Sequence, residues 1–220
     1  MKTLAIPGTL CAPSLFDRLA QRQPLSTVDW MALGPPADIP TIASRIAPAE
    51  PHVVLGHSTG GAIALQLALA HPESVAALML VDTGASMSGH GDVDGLLTMI
   101  RTQWGPALWR GVLDRSFARP PDPDTMTALL AYAGERSAEV TYEVLDSQRR
   151  LDFTPRLPEI AVPVTVVHGE FDRARPVEHA KRLAEGIPGA QLHVLPTGHS
   201  PVYEAPETVA ALLTELHERV

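Results

Sequence analysis

The chain has 220 residues, with 25 Asp and Glu against 17 Lys and Arg, which gives a formal net charge of −8. Hydrophobic residues make up 45% of the chain and charged residues 19%, a balance that predicts one buried core and excludes extensive disorder. The acidic balance argues against nucleic acid as a partner, and the single cysteine, Cys11, excludes an intrachain disulfide and a cysteine-based zinc site.

Short apolar runs alternate along the chain with stretches of helical length. Six runs predict buried strands, at Thr3–Ile6, Thr27–Met31, Val53–Leu55, Ala76–Val81, Val164–His168 and Leu192–Leu195. The intervening stretches predict helices, at Pro13–Gln23, Thr41–Ala47, Thr59–Ala70, Val177–Glu185 and Pro206–Glu218. Strand and helix alternation of this kind indicates an α/β protein whose mostly parallel sheet has helices on both faces.

The alternation is interrupted once, between about residues 86 and 155. No strand-like run occurs there, and the segment predicts several short helices separated by Gly and Pro. About seventy residues is too long for an ordinary crossover between two strands. The segment is therefore interpreted as a helical insertion.

The motif Gly56-His57-Ser58-Thr59-Gly60 lies between a predicted strand and a predicted helix. A serine nucleophile on such a turn adopts strained backbone angles, so the positions two residues away on either side must lack bulk. The N-terminal end of the following helix favours negative charge on an attacked carbonyl. The alternative is a glycine-rich turn that carries a bystander serine.

A nucleophilic serine needs a base, and nine histidines are available. His199 differs from the others because it follows the last predicted strand, where a loop at the carboxyl edge of a parallel sheet delivers catalytic groups. For the acid, Asp172 follows the strand Val164–His168, although it would also serve as a helix cap. Glu170 and Asp82 are the competing carboxylates.

These residues resemble the α/β-hydrolase superfamily. GHSTGG is similar to the nucleophile elbow, VPVTVVHGEFDRARPVEHA to the strand and acid loop, and LPTGHSPVYEAPETVAALL to the histidine loop and closing helix. The resemblance covers nearly the whole chain and implies Ser58, Asp172 and His199 as a catalytic triad, in the chain order of that family. It also implies a core of residues 1–85 and 156–220 and a helical cap of residues 86–155.

The chain departs from the family pattern at its start. It begins at what would be the third strand, so we expect about six parallel strands. The usual His-Gly is replaced by Pro7-Gly8. The resemblance implies an oxyanion hole formed by the backbone amides of Thr9 and Thr59, with Leu10 as the alternative to Thr9.

The implied activity is acyl transfer to water: hydrolysis of a small to medium carboxylic ester or lactone through an acyl-enzyme on Ser58, with neither metal nor cofactor. The same triad also supports thioester or carbon–carbon bond hydrolysis, and some proteins of this fold bind ligands without catalysis. The partner expected is therefore a small ester-like molecule.

Several cap residues are open to two interpretations. Trp104, Trp109, Phe117, Met87 and Met99 either line an apolar pocket or, more in keeping with their helical spacing, pack the cap onto the core. The three arginines of this segment either meet a substrate carboxylate or lie on a solvated face; they are Arg101, Arg110 and Arg115.

The longest apolar run, Ala62–Ala70, is too short to span a bilayer, and the N-terminus lacks the long apolar stretch of an export signal. We therefore expect a cytoplasmic protein without a membrane partner. Because an exposed sheet edge invites pairing, the chain is expected to be a monomer or a homodimer.

Overall fold

A single parallel sheet lies at the centre of the computed structural model, which describes residues 1–220. Its strands are arranged in the order β2-β1-β3-β4-β5-β6. Their bounds are β1 Thr3–Ile6, β2 Ser26–Thr27, β3 His52–His57, β4 Val75–Val81, β5 Val164–Gly169 and β6 Gln191–Leu195. The predicted fold class, a six-stranded parallel sheet flanked by helices, is confirmed.

Ten α-helices accompany the sheet. They are α1 Asp17–Ala20, α2 Ile39–Ile46, α3 Thr59–Ala70, α4 Val93–Thr102, α5 Pro106–Arg115, α6 Pro123–Gly134, α7 Ala138–Arg150, α8 Glu178–Gly186, α9 Pro201–Glu204 and α10 Pro206–His217. None of them has the length and hydropathy that crossing a bilayer requires.

The second strand is shorter than predicted. Only its first predicted residue, Thr27, belongs to β2, whereas Trp30–Ala32 forms a 3-10 turn. Trp30 is buried, and its indole nitrogen donates to the carbonyl oxygen of Pro7 at 2.8 Å. The apolar residues of this run therefore pack against the loop that follows β1. The pairing of β2 with β1 ends before Trp30.

Both faces of the sheet are buried, as the unbroken apolar strands predict. In β3, the side chain of Val54 belongs to one hydrophobic cluster, together with residues of α2, α3 and α8. Val53 and Leu55 belong to the other cluster, together with residues of α1 and α10. The alternation along one strand therefore separates two cores, one on each side of the sheet.

Four helices, α4 to α7, occupy the chain between β4 and β5. Side chains at three of their N-termini accept backbone N–H groups of the first turn, which satisfies donors that the helix itself leaves free; these are Asp92, Asp122 and Ser137. The division of the chain into a core and a cap at the predicted boundaries stays a prediction.

The order of the strands reverses between β1 and β3. The chain runs outward from β1 to β2 and then returns to the other side of β1, where Ile6 pairs with Gly56. Open α/β sheets bind ligands at such a point, outside the carboxyl ends of the strands. The loop after β1 and the turn after β3 meet here.

Candidate active site

Ser58 stands on a strained turn between β3 and α3. Its φ of 54° and ψ of −119° lie in a region that residues with a side chain rarely adopt. A Cβ at Gly56 would lie 2.5 Å from the carbonyl oxygen of Gly60, and one at Gly60 would lie 2.0 Å from the carbonyl oxygen of Ile6. The two glycines of the motif are therefore required by close backbone approach as well as by the turn.

A relay of hydrogen bonds joins the three predicted triad residues. Nε2 of His199 lies 2.9 Å from Oγ of Ser58, and Nδ1 of His199 lies 2.6 Å from Oδ2 of Asp172. The other oxygen of Asp172 accepts the backbone N–H groups of Ala174 at 2.7 Å and Arg175 at 2.9 Å. These bonds fix the carboxylate that orients the imidazole.

The environment of Asp172 favours its charged form. Burial raises the pKa of this carboxyl, but the charge and hydrogen bond of His199, with the two backbone N–H donors, outweigh burial and lower the pKa to about 2. Asp172 is therefore a carboxylate at neutral pH.

The competing carboxyl Asp82 lies beside the relay in a different state. It is fully buried, has a positive φ of 46°, and accepts the backbone N–H of Gly169 at 2.8 Å. Burial, followed by the negative charge of Asp172, raises the pKa of Asp82 well above its ordinary value. Glu170, the other alternative, has an exposed side chain.

Asp82, His168 and Asp172 are the three residues whose donor atoms lie close enough to hold a metal ion together, within 4.8 Å of one another. Asp172 is also the acceptor of His199 in this group. A metal bound there would compete directly with the hydrogen bond that orients His199.

The residues proposed for the oxyanion hole face each other. The hydroxyl oxygens of Thr9 and Thr59 lie 2.8 Å apart, and both residues line the cavity that contains Ser58. The Thr9 amide donates to no protein acceptor, whereas the Leu10 amide donates to Sδ of Met31 at 3.3 Å. Thr59 is the first residue of α3, where backbone N–H groups have no partner inside the helix.

His57, inside the elbow motif, binds the backbone of His199, the proposed base. Its Nε2–H donates to the carbonyl oxygen of His199 at 2.6 Å, and the side chain is fully buried. Burial, with the nearby His199, lowers the pKa of His57 to about 3. A neutral His57 therefore positions the backbone of the histidine loop.

A cavity opens above Ser58 and His199 and is lined by 20 residues, half of them hydrophobic. Of the aromatic and methionine candidates, Met87 and Trp104 line it. Trp109 packs edge-to-face on Trp104, Phe117 packs on Tyr203, and Met99 is 38% exposed.

The three cap arginines have separate surroundings. Arg101 stacks on the ring of Tyr142, and Arg110 pairs with Asp114 at 2.8 Å. Arg115 lines the cavity. For Arg101 and Arg110, the interpretation as a surface face is the correct one.

Sequence reasoning did not find Arg175, Gln148 and His90, which also line the cavity. Gln148 and His90 belong to or border the helical insertion, where no motif marks a residue that faces the site. Arg175 lies on the acid loop three residues after Asp172, and this spacing alone does not show that its side chain faces the cavity.

A model of the alpha/beta hydrolase family matches residues 6–212. The pimeloyl-[acyl-carrier protein] methyl ester esterase of Neisseria meningitidis serogroup A is 30% identical, in an alignment that covers 94% of this chain and 72% of that protein. The protein of the same name from Xanthomonas oryzae pv. oryzae is 29% identical, in an alignment that covers 90% of this chain and 85% of that protein.

Solved structures show the same fold. The esterase EaEST from Exiguobacterium antarcticum superposes with a TM-score of 0.86 and 23% identity, covering 99% of this chain and 92% of that one. The enol-lactonase from Burkholderia xenovorans LB400 gives a TM-score of 0.80 and 20% identity, covering 99% and 91%. The family match, the esterase relatives and the shared fold agree, and the chain belongs to the alpha/beta hydrolase family.

Proposed function

We propose that this chain hydrolyses a small to medium carboxylic ester or lactone, with Ser58, His199 and Asp172 as its catalytic triad. The continuous relay from Ser58 through His199 to the charged Asp172 is the observation that carries the proposal. The esterase names of the relatives favour ester bonds over the thioester and carbon–carbon alternatives.

Acylation begins when His199 removes the proton of Ser58, whose oxygen attacks the ester carbonyl. The backbone amides of Thr9 and Thr59 are the proposed donors to the oxyanion. His199 then returns its proton to the departing alcohol, which leaves an acyl group on Ser58. Asp172 stabilises the imidazolium throughout.

Deacylation repeats these steps with water. His199 removes a proton from water, the hydroxide attacks the acyl-enzyme, and collapse of the intermediate returns the proton to Ser58 and releases the carboxylic acid. The cavity lining, half hydrophobic with a few polar side chains, is typical of sites for small molecules, which supports an ester of modest size as the substrate.

The test compares wild-type protein with Ser58→Ala on p-nitrophenyl butyrate. We expect turnover in the wild type and a loss of about 10⁴-fold or more in the variant. Circular dichroism of the variant controls for folding. Equal turnover by the two proteins would reject Ser58 as the nucleophile.

From the sequence, we also propose that the protein is cytoplasmic and that it is a monomer or a homodimer. The small ester-like substrate is the partner that the site supports.

A further inference from the structure

The charged residues around the cavity are all of one sign. Although the chain has a net charge of −8, the lining includes two arginines, Arg115 and Arg175, and no aspartate or glutamate. Four of the ten hydrophobic lining residues come from α4 and α5, so the cavity combines apolar side chains with two cationic ones. This arrangement suits a substrate that has both an apolar chain and a negative charge.

Arg175 is a buried cation that has no anionic side-chain partner within ion-pair distance. It is 2% exposed, and its guanidinium donates to the carbonyl oxygen of Ser86, to Sδ of Met87 and to Nδ1 of His179. These acceptors are all uncharged, and Nε donates to nothing. Burial lowers the pKa of Arg175 only to about 10, so it remains charged at neutral pH.

Arg115 brings a second cation to the mouth of the cavity. It is the last residue of α5, its side chain is exposed, and it forms neither an ion pair nor a hydrogen bond with the protein. The cavity and an adjoining surface cleft share four lining residues, which define the mouth: His90, Leu96, Arg115 and Ala174. The one acid of that cleft, Asp92, is engaged with the backbone N–H of Gly95 at 2.8 Å.

Two uncharged polar groups complete this side of the cavity. Nδ1 of His90 is buried without a partner, and the side-chain amide of Gln148, a residue 4% exposed, forms no hydrogen bond within the protein. Buried polar groups without partners carry a free-energy cost that a polar ligand group relieves. A carboxylate accepts hydrogen bonds from an imidazole N–H and from a side-chain amide N–H alike.

We propose that the ester substrate carries a second, anionic group, a carboxylate, which Arg115 binds at the mouth and Arg175 attracts from the cavity wall. The inference deepens the proposed ester hydrolysis and rests on it. The guanidinium of Arg115 pairs with two carboxylate oxygens at once, a geometry that a free arginine offers. The substrate class is therefore the monoester of a dicarboxylic acid or an ester of similar charge.

The experiment measures kcat/KM for two esters of equal chain length, the mono-p-nitrophenyl ester of adipic acid and p-nitrophenyl hexanoate. We expect the wild type to prefer the anionic ester by at least about fivefold at low ionic strength. The preference should fall as salt is added, because exposed charges are screened.

Arg115→Gln is the test variant and Arg110→Gln its matched control. Both arginines lie on α5 with exposed side chains, but Arg110 is paired with Asp114 and does not line the cavity. Arg115→Gln should lower the ratio of the two kcat/KM values by about fivefold. Arg110→Gln should leave the ratio at its wild-type value.

A binding measurement separates this inference from the proposed function. In the Ser58→Ala background, calorimetry should show tighter binding of the adipate ester than of the hexanoate ester, and Arg115→Gln should reduce the difference. Equal binding and equal kcat/KM for the two esters would overturn the inference while Ser58-dependent turnover upheld the ester hydrolase. Charge-dependent binding without Ser58-dependent turnover would uphold the inference about the ligand and overturn the hydrolase.

Discussion

Two buried carboxyl groups lie close together near His199, one of them in contact with its imidazole, and their surroundings shift their pKa values in opposite directions. Asp172 accepts hydrogen bonds from His199 and from two backbone N–H groups, and its pKa is lowered to about 2. Asp82 accepts one backbone N–H, and burial raises its pKa. Asp172 is the carboxyl that contacts His199, so its negative charge stabilises an imidazolium.

Substituting asparagine for each aspartate in turn distinguishes the roles of the two carboxyl groups. Asp172→Asn should lower kcat by about 10⁴-fold, because an amide neither holds the required tautomer nor stabilises the charged imidazole. Asp82→Asn should keep kcat within about threefold of the wild type, because Asp82 does not contact His199 and burial shifts its pKa toward the uncharged form that asparagine resembles. Steady-state kinetics on p-nitrophenyl butyrate measure both. The reverse ranking would make Asp82 the acid.

The hydrogen bond between the hydroxyl groups of Thr9 and Thr59 is the basis of a second prediction. The 2.8 Å bond ties together the two residues proposed to supply the oxyanion hole. Thr9→Val removes the bond at nearly constant volume and should lower kcat by up to about tenfold with little change in KM. Thr9→Ser retains the hydroxyl and serves as control. A change confined to KM would place Thr9 in substrate binding alone.

At the scale of elements, Glu204 at the end of α9 connects the histidine loop to the helical insertion. Its two carboxylate oxygens accept the backbone N–H of Gly198 and that of Ala118, each at 2.8 Å. Gly198 leaves no room for a side chain, because a Cβ there would lie 2.2 Å from the backbone nitrogen of Ala118. The loop that carries His199 is thus held against the segment between α5 and α6.

Glu204→Ala should therefore weaken both folding and catalysis. Loss of two hydrogen bonds to a charged acceptor should lower the free energy of unfolding by about 2 kcal/mol, measured by urea denaturation. We expect kcat to fall as well, because the loop that holds His199 loosens. Glu215→Ala, at an exposed residue of α10 that forms no ion pair or side-chain hydrogen bond, provides the control. Unchanged stability and kcat in Glu204→Ala would show that the loop is held by other contacts.

The elements next to Ser58, Asp172 and His199 follow closely from the sequence. The helix Thr59–Ala70 has the predicted bounds, and five strands agree to within two residues at each end. Uninterrupted apolar runs and the glycines of the elbow make these local signals strong. The prediction of the second strand was wrong because Trp30 is buried against the loop after β1. In the sequence, apolar residues buried by such a tertiary contact look the same as the apolar residues of a strand.

The side chains that complete the site depend on contacts between distant segments. The carbonyl oxygen of His199 is bound by His57 from 142 positions earlier in the chain. Arg175 and Gln148 meet at the cavity only after the insertion folds over the sheet. Periodicity and motif spacing contain no information on such contacts, which is why the sequence predicted the triad but not these side chains of the cavity lining.

Several histidines with lowered pKa values should make the whole molecule less stable to unfolding in mild acid. Burial is the leading cause that lowers the pKa of His57 and His90 to about 3 and that of His179 to about 4. Between these values and the ordinary 6.5, the unfolded chain binds protons that the folded chain excludes, so stability falls as pH falls. Asp82 and Glu204, with raised pKa values, act in the opposite direction.

We therefore expect the free energy of unfolding to fall by more than about 1 kcal/mol between pH 6.5 and pH 5.5. Urea denaturation at the two pH values and at constant ionic strength measures the change. His179→Gln removes one of the titrating groups and should make the dependence on pH shallower. Stability that is equal or higher at pH 5.5 would contradict the protonation states assigned to these histidines.

The central claim is that Ser58 is the nucleophile of an ester hydrolase. Its most direct test is reaction of the folded protein with a fluorophosphonate, followed by intact-mass measurement and peptide mapping. The account predicts a single adduct on Ser58, loss of p-nitrophenyl butyrate turnover in step with labelling, and no adduct in Ser58→Ala. An adduct on another residue, or full turnover by the labelled protein, would contradict it.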